Sequence, residues 1–262
     1  MRKSTPFVLL AVVIAMAIVA CTNAPYTGRN QLILLTQGQE AQMGVDAYQE
    51  VKANSKISAN ARWRDMVARV GERIKAVAER PDFQWEFNVI ADPTVNAFCL
   101  PGGKVGVYTG ILPVTKDEAG LATVIGHEVA HAVARHGGER MSTAMGLEAA
   151  GSVASAVLGS TKYASWGPAF NQAYGMGAQV GVALPHSRLQ ESEADHMGLL
   201  YMARAGFNPE ASVAFWQRFA EYNKAAGGST PWFLRTHPLD ETRIQQLQQW
   251  MPEAKAQFRA AK

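Results

Sequence analysis

His127 and His131 stand four residues apart, with Glu128 beside the first, inside the run "VIGHEVAHAVARHGG" (124 to 138) that otherwise consists mostly of Ala, Val and Gly. In a helix, residues four apart share a face, so the two imidazoles point the same way with the carboxylate one step around. This is the H-E-x-x-H arrangement: neutral imidazoles are good zinc ligands, and the neighbouring carboxylate can take a proton from water that the metal polarises. An isolated carboxylate buried in so apolar a run would cost several kcal/mol or be forced neutral. A metal removes that objection.

A catalytic zinc usually takes three protein ligands and keeps one position open. In the metzincin pattern the third ligand is a histidine ten residues after the first, with glycine at the seventh, but here those positions are Gly137 and Ala134, which excludes that class. His136 lies roughly half a turn around the helix from His127 and cannot join the pair without leaving it. The alternative is an acidic residue from a second helix, and "RLQESEADHMGLLYM" (188 to 202) is the best candidate stretch. Glu191 and Asp195, four apart, can both face the site: Glu191 as third ligand, Asp195 accepting a hydrogen bond from the far nitrogen of a ligand histidine. Glu193 points away from both and is expected at the surface.

H-E-V-A-H (127 to 131), E-S-E-A-D (191 to 195) and T-H-P-L-D-E-T-R (236 to 243), in that order, resemble the M48 zinc metallopeptidases, particularly their bacterial periplasmic lipoprotein members. "NAFCLPGGKVGVYTGIL" (96 to 112) and "GRNQLILLTQGQEAQMG" (28 to 44) are similar to that family too. The resemblance implies an α+β, mostly helical, zincin-like metallopeptidase domain with a small sheet and hairpin beside the H-E-x-x-H helix. It implies one Zn2+ per chain on His127, His131 and Glu191, with Glu128 as the base. Lys104, Val105, Gly106, Val107 and Tyr108 resemble the active-site edge strand, against which an extended peptide pairs by main-chain hydrogen bonds. His237 and Arg243 match a pair near the metal; the histidine can approach the zinc, and either can stabilise an oxyanion. The activity implied is zinc-dependent endopeptidase cleavage of misfolded or unassembled cell-envelope polypeptides. The alternative is a periplasmic chaperone or assembly factor for outer-membrane proteins whose zinc site is latched or non-catalytic.

The elements that must position these residues follow from periodicity and turn chemistry. Helices are expected over about 36 to 51 and 59 to 78, the latter with Met66, Val67, Val70, Ile74 and Val77 at helical spacing. Alternation of Trp85, Phe87 and Val89 reads as a strand, and Pro101-Gly102-Gly103 as the turn of a hairpin. The H-E-x-x-H helix should begin near 115 to 117 and stop at Gly137-Gly138. Residues 142 to 185, dense in Ala, Gly, Ser and Met, read either as packed helices or as a lid over the site. Two further helices are expected near 211 to 226 and 240 to 258.

With 262 residues, 48% hydrophobic and 18% charged, the chain can bury a sizeable core. Its N-terminus has the form of a lipoprotein signal peptide (1 to 20): Arg2 and Lys3 precede the apolar "PFVLLAVVIAMAIVA", and Ile18-Val19-Ala20-Cys21 resembles a lipobox with Cys21 as the acylated residue. Without the leader 23 basic residues balance 22 acidic ones, which gives no reason to expect nucleic acid as a partner. A lipid anchor on a membrane, most simply the outer membrane facing the periplasm, is expected. Residues 21 to 32 are read as the lipidated cysteine and a tether that could reach roughly 35 Å, and 33 to 262 as one metallopeptidase domain. Cys99 is left without a partner for a disulfide.

Overall fold

The computed structural model describes residues 21–145, 187–225, 230–239 and 242–258. The expected signal peptide and most of the 142 to 185 stretch lie outside these residues. Asn23, Gly28 and Asn30 close a short hairpin of β1 (Cys21–Asn23) and β2 (Asn30–Leu32), with the Asn23 amide donating to Gly28 O at 2.8 Å. The stretch read as an extended tether is therefore folded back on the domain. Gln31 donates to Ala134 O at 2.9 Å, and the Tyr26 ring meets Tyr201 edge-on.

Thr36 and Gln39 form a reciprocal capping box that starts α1 (Gln37–Asn54), and the Asn60 side chain caps α2 (Ala61–Lys75). Strands β3 (Glu86–Ile90), β4 (Ala97–Leu100) and β5 (Lys104–Tyr108) form a sheet in the order β3-β5-β4. β5 runs parallel to β3 and antiparallel to β4. The turn joining β4 to β5 holds Gly102 and Gly103 at φ of 81° and 83°, a region glycine enters freely. The expectation that Lys104–Tyr108 is an edge strand is overturned: both its sides are already paired, and among the described residues β3 and β4 are the outer strands of this sheet. Sequence could not show this, because a hairpin leaves open which strand a third one joins.

After the short helix α3 (Leu112–Thr115), Asp117 caps Gly120 N–H at 2.8 Å and starts α4 (Glu118–Val133). From Gly120 onward α4 is buried on every side, between β4, α2 and α5 (Arg188–Arg204). It ends earlier than the glycine pair suggested. Arg135 adopts φ 59° and residues 136 to 145 are helical again. A Ser187–Gln190 capping box starts α5, and α6 (Glu210–Ala225), α7 (Trp232–Thr236) and α8 (Arg243–Gln257) complete the described chain. No described helix is long and apolar enough to cross a membrane.

Helices α4 and α5 approach so closely that a methyl group at Gly198 would stand 2.8 Å from His127 N and 3.0 Å from the Gly126 carbonyl carbon. Two glycines facing each other let the backbones touch, which brings the acidic face of α5 onto the histidines of α4.

Candidate metal centre

α4 supplies His127 and His131, α5 supplies Glu191, and His237 follows the last turn of α7. One ligand atom from each lies within 4.8 Å of all the others, and all four residues are buried. His127 Nε2 is 3.0 Å from His131 Nε2, 3.2 Å from His237 Nδ1 and 3.5 Å from Glu191 Oε2. Glu191 Oε1 is 3.3 Å from His131 Nε2 and 3.0 Å from His237 Nδ1. Four atoms set about 2.0–2.1 Å from a tetrahedral centre stand about 3.3 Å apart. The donor set of three imidazoles and one carboxylate, at these separations, fits a single zinc ion.

At Glu191 and His131 the electrostatics agree with that fit. Burial would push the Glu191 carboxyl up, but His237 and Arg243 outweigh it and hold the group well below the usual range, so it is ionised. Burial pushes His131 well down, leaving a neutral imidazole ready to ligate. At His127 burial acts in the same direction, yet Asp195 and Glu191 overcome it and raise the ring to about 9. Asp195 Oδ1 faces His127 Nδ1 at 2.9 Å, the position expected for it.

Glu128 is buried on the neighbouring side of α4, with Oε1 3.3 Å from His237 Nε2. Burial raises its carboxyl, and His237 and His127 act against that rise. His237 thus belongs to the ligand cluster through Nδ1 and meets the Glu128 carboxylate through Nε2.

Arg243 stands beside the cluster, where the family resemblance put it. Its guanidinium is buried behind Glu191, donates to Glu191 and Asp195, and lies 3.9 Å above the Trp216 ring. There it fixes the carboxylate of Glu191. Glu193 departs from expectation, because it is buried rather than a surface charge. It receives His136 Nε2 at 3.1 Å and Arg29 Nε at 2.9 Å, together with the Thr27 hydroxyl. His136, in turn, places Nδ1 2.8 Å from His131 Nδ1. It is not one of the four clustered residues, although the helix that the spacing argument assumed ends at Val133. Its contact with a ligand was missed, and the only sequence signal was the five-residue interval from His131.

At the other end of the β4–β5 pairing, Tyr108 N–H donates to Asn96 O, which fixes the parity of β4. Asn96, Phe98 and Leu100 turn their main-chain groups to β5, whereas Ala97 and Cys99 turn theirs outward. Val95, of the same parity, accepts from Phe233 N of α7, the helix that leads into His237.

Comparison with known proteins extends these observations. Residues 61–251 match the model of peptidase family M48. The mitochondrial metalloendopeptidase OMA1 of Schizosaccharomyces pombe is 37% identical over 233 residues, covering 88% of this chain and 66% of that protein. The OMA1 metalloendopeptidase of Homo sapiens is 29% identical, covering 88% and 46% respectively. The beta-barrel assembly-enhancing protease of Yersinia pestis is 28% identical, covering 84% and 45%. The chain therefore spans from under half to about two thirds of the length of these relatives. With H-E-x-x-H, Glu191 and His237 gathered at one centre inside the matched region, the chain belongs to peptidase family M48.

Proposed function

We propose that the protein is a zinc-dependent endopeptidase whose structure represents a closed, resting state, and that it acts on misfolded or unassembled polypeptides of the cell envelope. The observation that carries the reading is the buried Glu128 carboxylate beside a four-residue cluster that fits zinc, since a purely structural zinc site needs no base. When bound there, zinc supplies Lewis acidity, polarising a scissile carbonyl and acidifying water. Glu128 accepts the proton of the attacking water and returns it to the leaving amine; the burial that raises its carboxyl suits both transfers. Asp195 stands 2.9 Å from His127 Nδ1, on the side of the ring away from the cluster, and Arg243 holds Glu191. With His237 both in the cluster and against Glu128, turnover requires it to withdraw so that water can reach the carboxylate. From its withdrawn position it can donate to the oxyanion.

The substrate is an extended segment that pairs with the outward main-chain groups of Ala97 and Cys99 on β4, in place of the central strand β5. The lipobox-like sequence ending at Cys21 supports a lipid anchor and a periplasm-facing position. A relative named as a beta-barrel assembly-enhancing protease supports an envelope setting for proteolysis. Four converging ligands also support the second reading, an assembly factor whose zinc site stays shut.

The test is zinc content by elemental analysis together with degradation of unfolded casein, for the unmutated chain and Glu128→Gln. One zinc per chain, with cleavage only by the unmutated protein, supports the endopeptidase. Equal cleavage by both refutes the assigned base, and zinc without cleavage by either favours the assembly factor.

A further inference from the structure

We infer that the N-terminal hairpin is part of the metal centre: Arg29 and Thr27, acting through Glu193 and His136, hold His131 in the ring orientation and tautomer that offer Nε2 to zinc. The inference rests on the zinc reading of the cluster. Its observations are independent of Asp195 and of Glu128.

The contacts form one unbroken line. His131 Nε2 lies in the ligand cluster, and its other nitrogen, Nδ1, lies 2.8 Å from His136 Nδ1. Two ring nitrogens at that distance share one hydrogen. With His131 Nε2 committed to a cation, His131 Nδ1 carries the hydrogen and His136 Nδ1 accepts it. The hydrogen of His136 must then sit on Nε2, and Nε2 points at Glu193 Oε2, 3.1 Å away. Each donor meets an acceptor, with neither ring protonated twice. Glu193 is fixed in its turn by Arg29 Nε at 2.9 Å and by the Thr27 hydroxyl. Arg29 spans a second carboxylate, with Nη1 and Nη2 2.6 and 2.7 Å from the two oxygens of Glu139, and Glu139 also receives Gln190 Nε2 at 2.7 Å. Such forked pairing gives the guanidinium a single orientation.

Each histidine of the H-E-x-x-H motif therefore has its own outer partner. His127 is backed directly by Asp195, whereas His131 is backed by His136 and, beyond it, Glu193. Outer partners of this type typically change metal affinity by about 10- to 100-fold when removed. Thr27 and Arg29 lie outside residues 61–251, the region that the family model matches. These are positioning residues, because none of the four offers an atom to the ligand cluster.

The test uses the full mature chain, with zinc affinity read by competition against a chromogenic chelator and ligand field by the visible spectrum of the cobalt(II)-loaded protein. His136→Leu should bind zinc about 10- to 100-fold more weakly and shift the cobalt bands. His136→Asn, whose amide oxygen takes the place of the accepting nitrogen, should recover most of that loss. Arg29→Met, a partly exposed position, should weaken zinc several-fold, which keeps the inference falsifiable if the core variants fold poorly. A mutation-free check is long-range 1H–15N correlation on the zinc-loaded protein, where His136 should carry its hydrogen on Nε2. Wild-type zinc affinity and cobalt spectrum in both His136→Leu and Arg29→Met, or a His136 ring protonated at Nδ1, would overturn the inference while leaving the zinc reading intact. An unmutated chain that binds no zinc removes both.

Discussion

His237 and Glu193 are the two residues whose environments make the most discriminating claims. The His237 ring lies within 3.3 Å of ligand atoms on one edge and of Glu128 on the other, so it bridges the cluster and that carboxylate. His237→Ala leaves three protein ligands, the number a catalytic zinc ordinarily has, and should keep one zinc while raising casein hydrolysis several-fold. A fall in rate at unchanged zinc content would instead make the ring an obligatory participant. At Glu193, burial opposes ionisation, but hydrogen bonds from His136, Arg29 and Thr27 outweigh it and hold the carboxyl at about 2. The folded value lies below the unfolded one, so this group's stabilising contribution is complete above the ordinary glutamate range, about 4.3, and fades as pH falls toward 2. In zinc-free protein, the difference in unfolding free energy between the unmutated chain and Glu193→Gln should be widest near pH 7. It should narrow between pH 5 and pH 3 in urea titrations; a constant gap would contradict the assignment. His127, His131 and Glu191 were legible because a four-residue spacing fixes a helix face, whereas His237 came only with the family resemblance. Glu193 was not, because spacing shows only that it points away from Glu191; here the N-terminal hairpin covers the far side of α5.

The contact between α4 and α5 sets the geometry of the centre, since it carries three of the four ligands. At Gly198 the atoms that an added methyl group would meet are backbone on both counts, so no side-chain rotation relieves the overlap. Gly198→Ala should cost about 1–3 kcal/mol in denaturant unfolding and weaken zinc by spreading the helices. Unchanged stability and affinity would mean that the two backbones have room to spare. β4 makes a separable claim. Because only Ala97 and Cys99 direct main-chain groups outward, a cleaved peptide N-methylated one residue at a time should lose about tenfold in kcat/KM at alternate positions and little between them. Uniform losses would mean that the peptide is not read as a strand. The helices and the hairpin turn were visible in hydrophobic period and capping residues. The position of β5 in the middle of the sheet was not, because it depends on a parallel partner whose nearest end is 14 residues away.

Across the whole molecule, the centre gathers residues 127 to 237, and the line behind His131 reaches back to Arg29. The sequence made the metal site and the matched region legible as separate motifs, but not the docking of residues 21 to 32, whose turn-rich composition reads equally well as a linker. Helices so far apart in the chain can bind one ion only when they are packed together, so the unfolded chain cannot reproduce the site and zinc must favour the folded state. Free zinc at a hundred times its Kd adds about 2.7 kcal/mol. For a chain of this size that corresponds to roughly 5–10 °C in Tm. Chelation should therefore lower Tm by about that amount, and restored zinc should recover it in the same calorimetric scan series. Because the ligands come from helices that share one core, the loss should appear as a shift of the main transition and not as a separate early melt. A Tm indifferent to zinc would show that the cluster does not hold the ion in the folded protein. A small early transition with the main one unmoved would show that the centre is a local appendage and not part of the core.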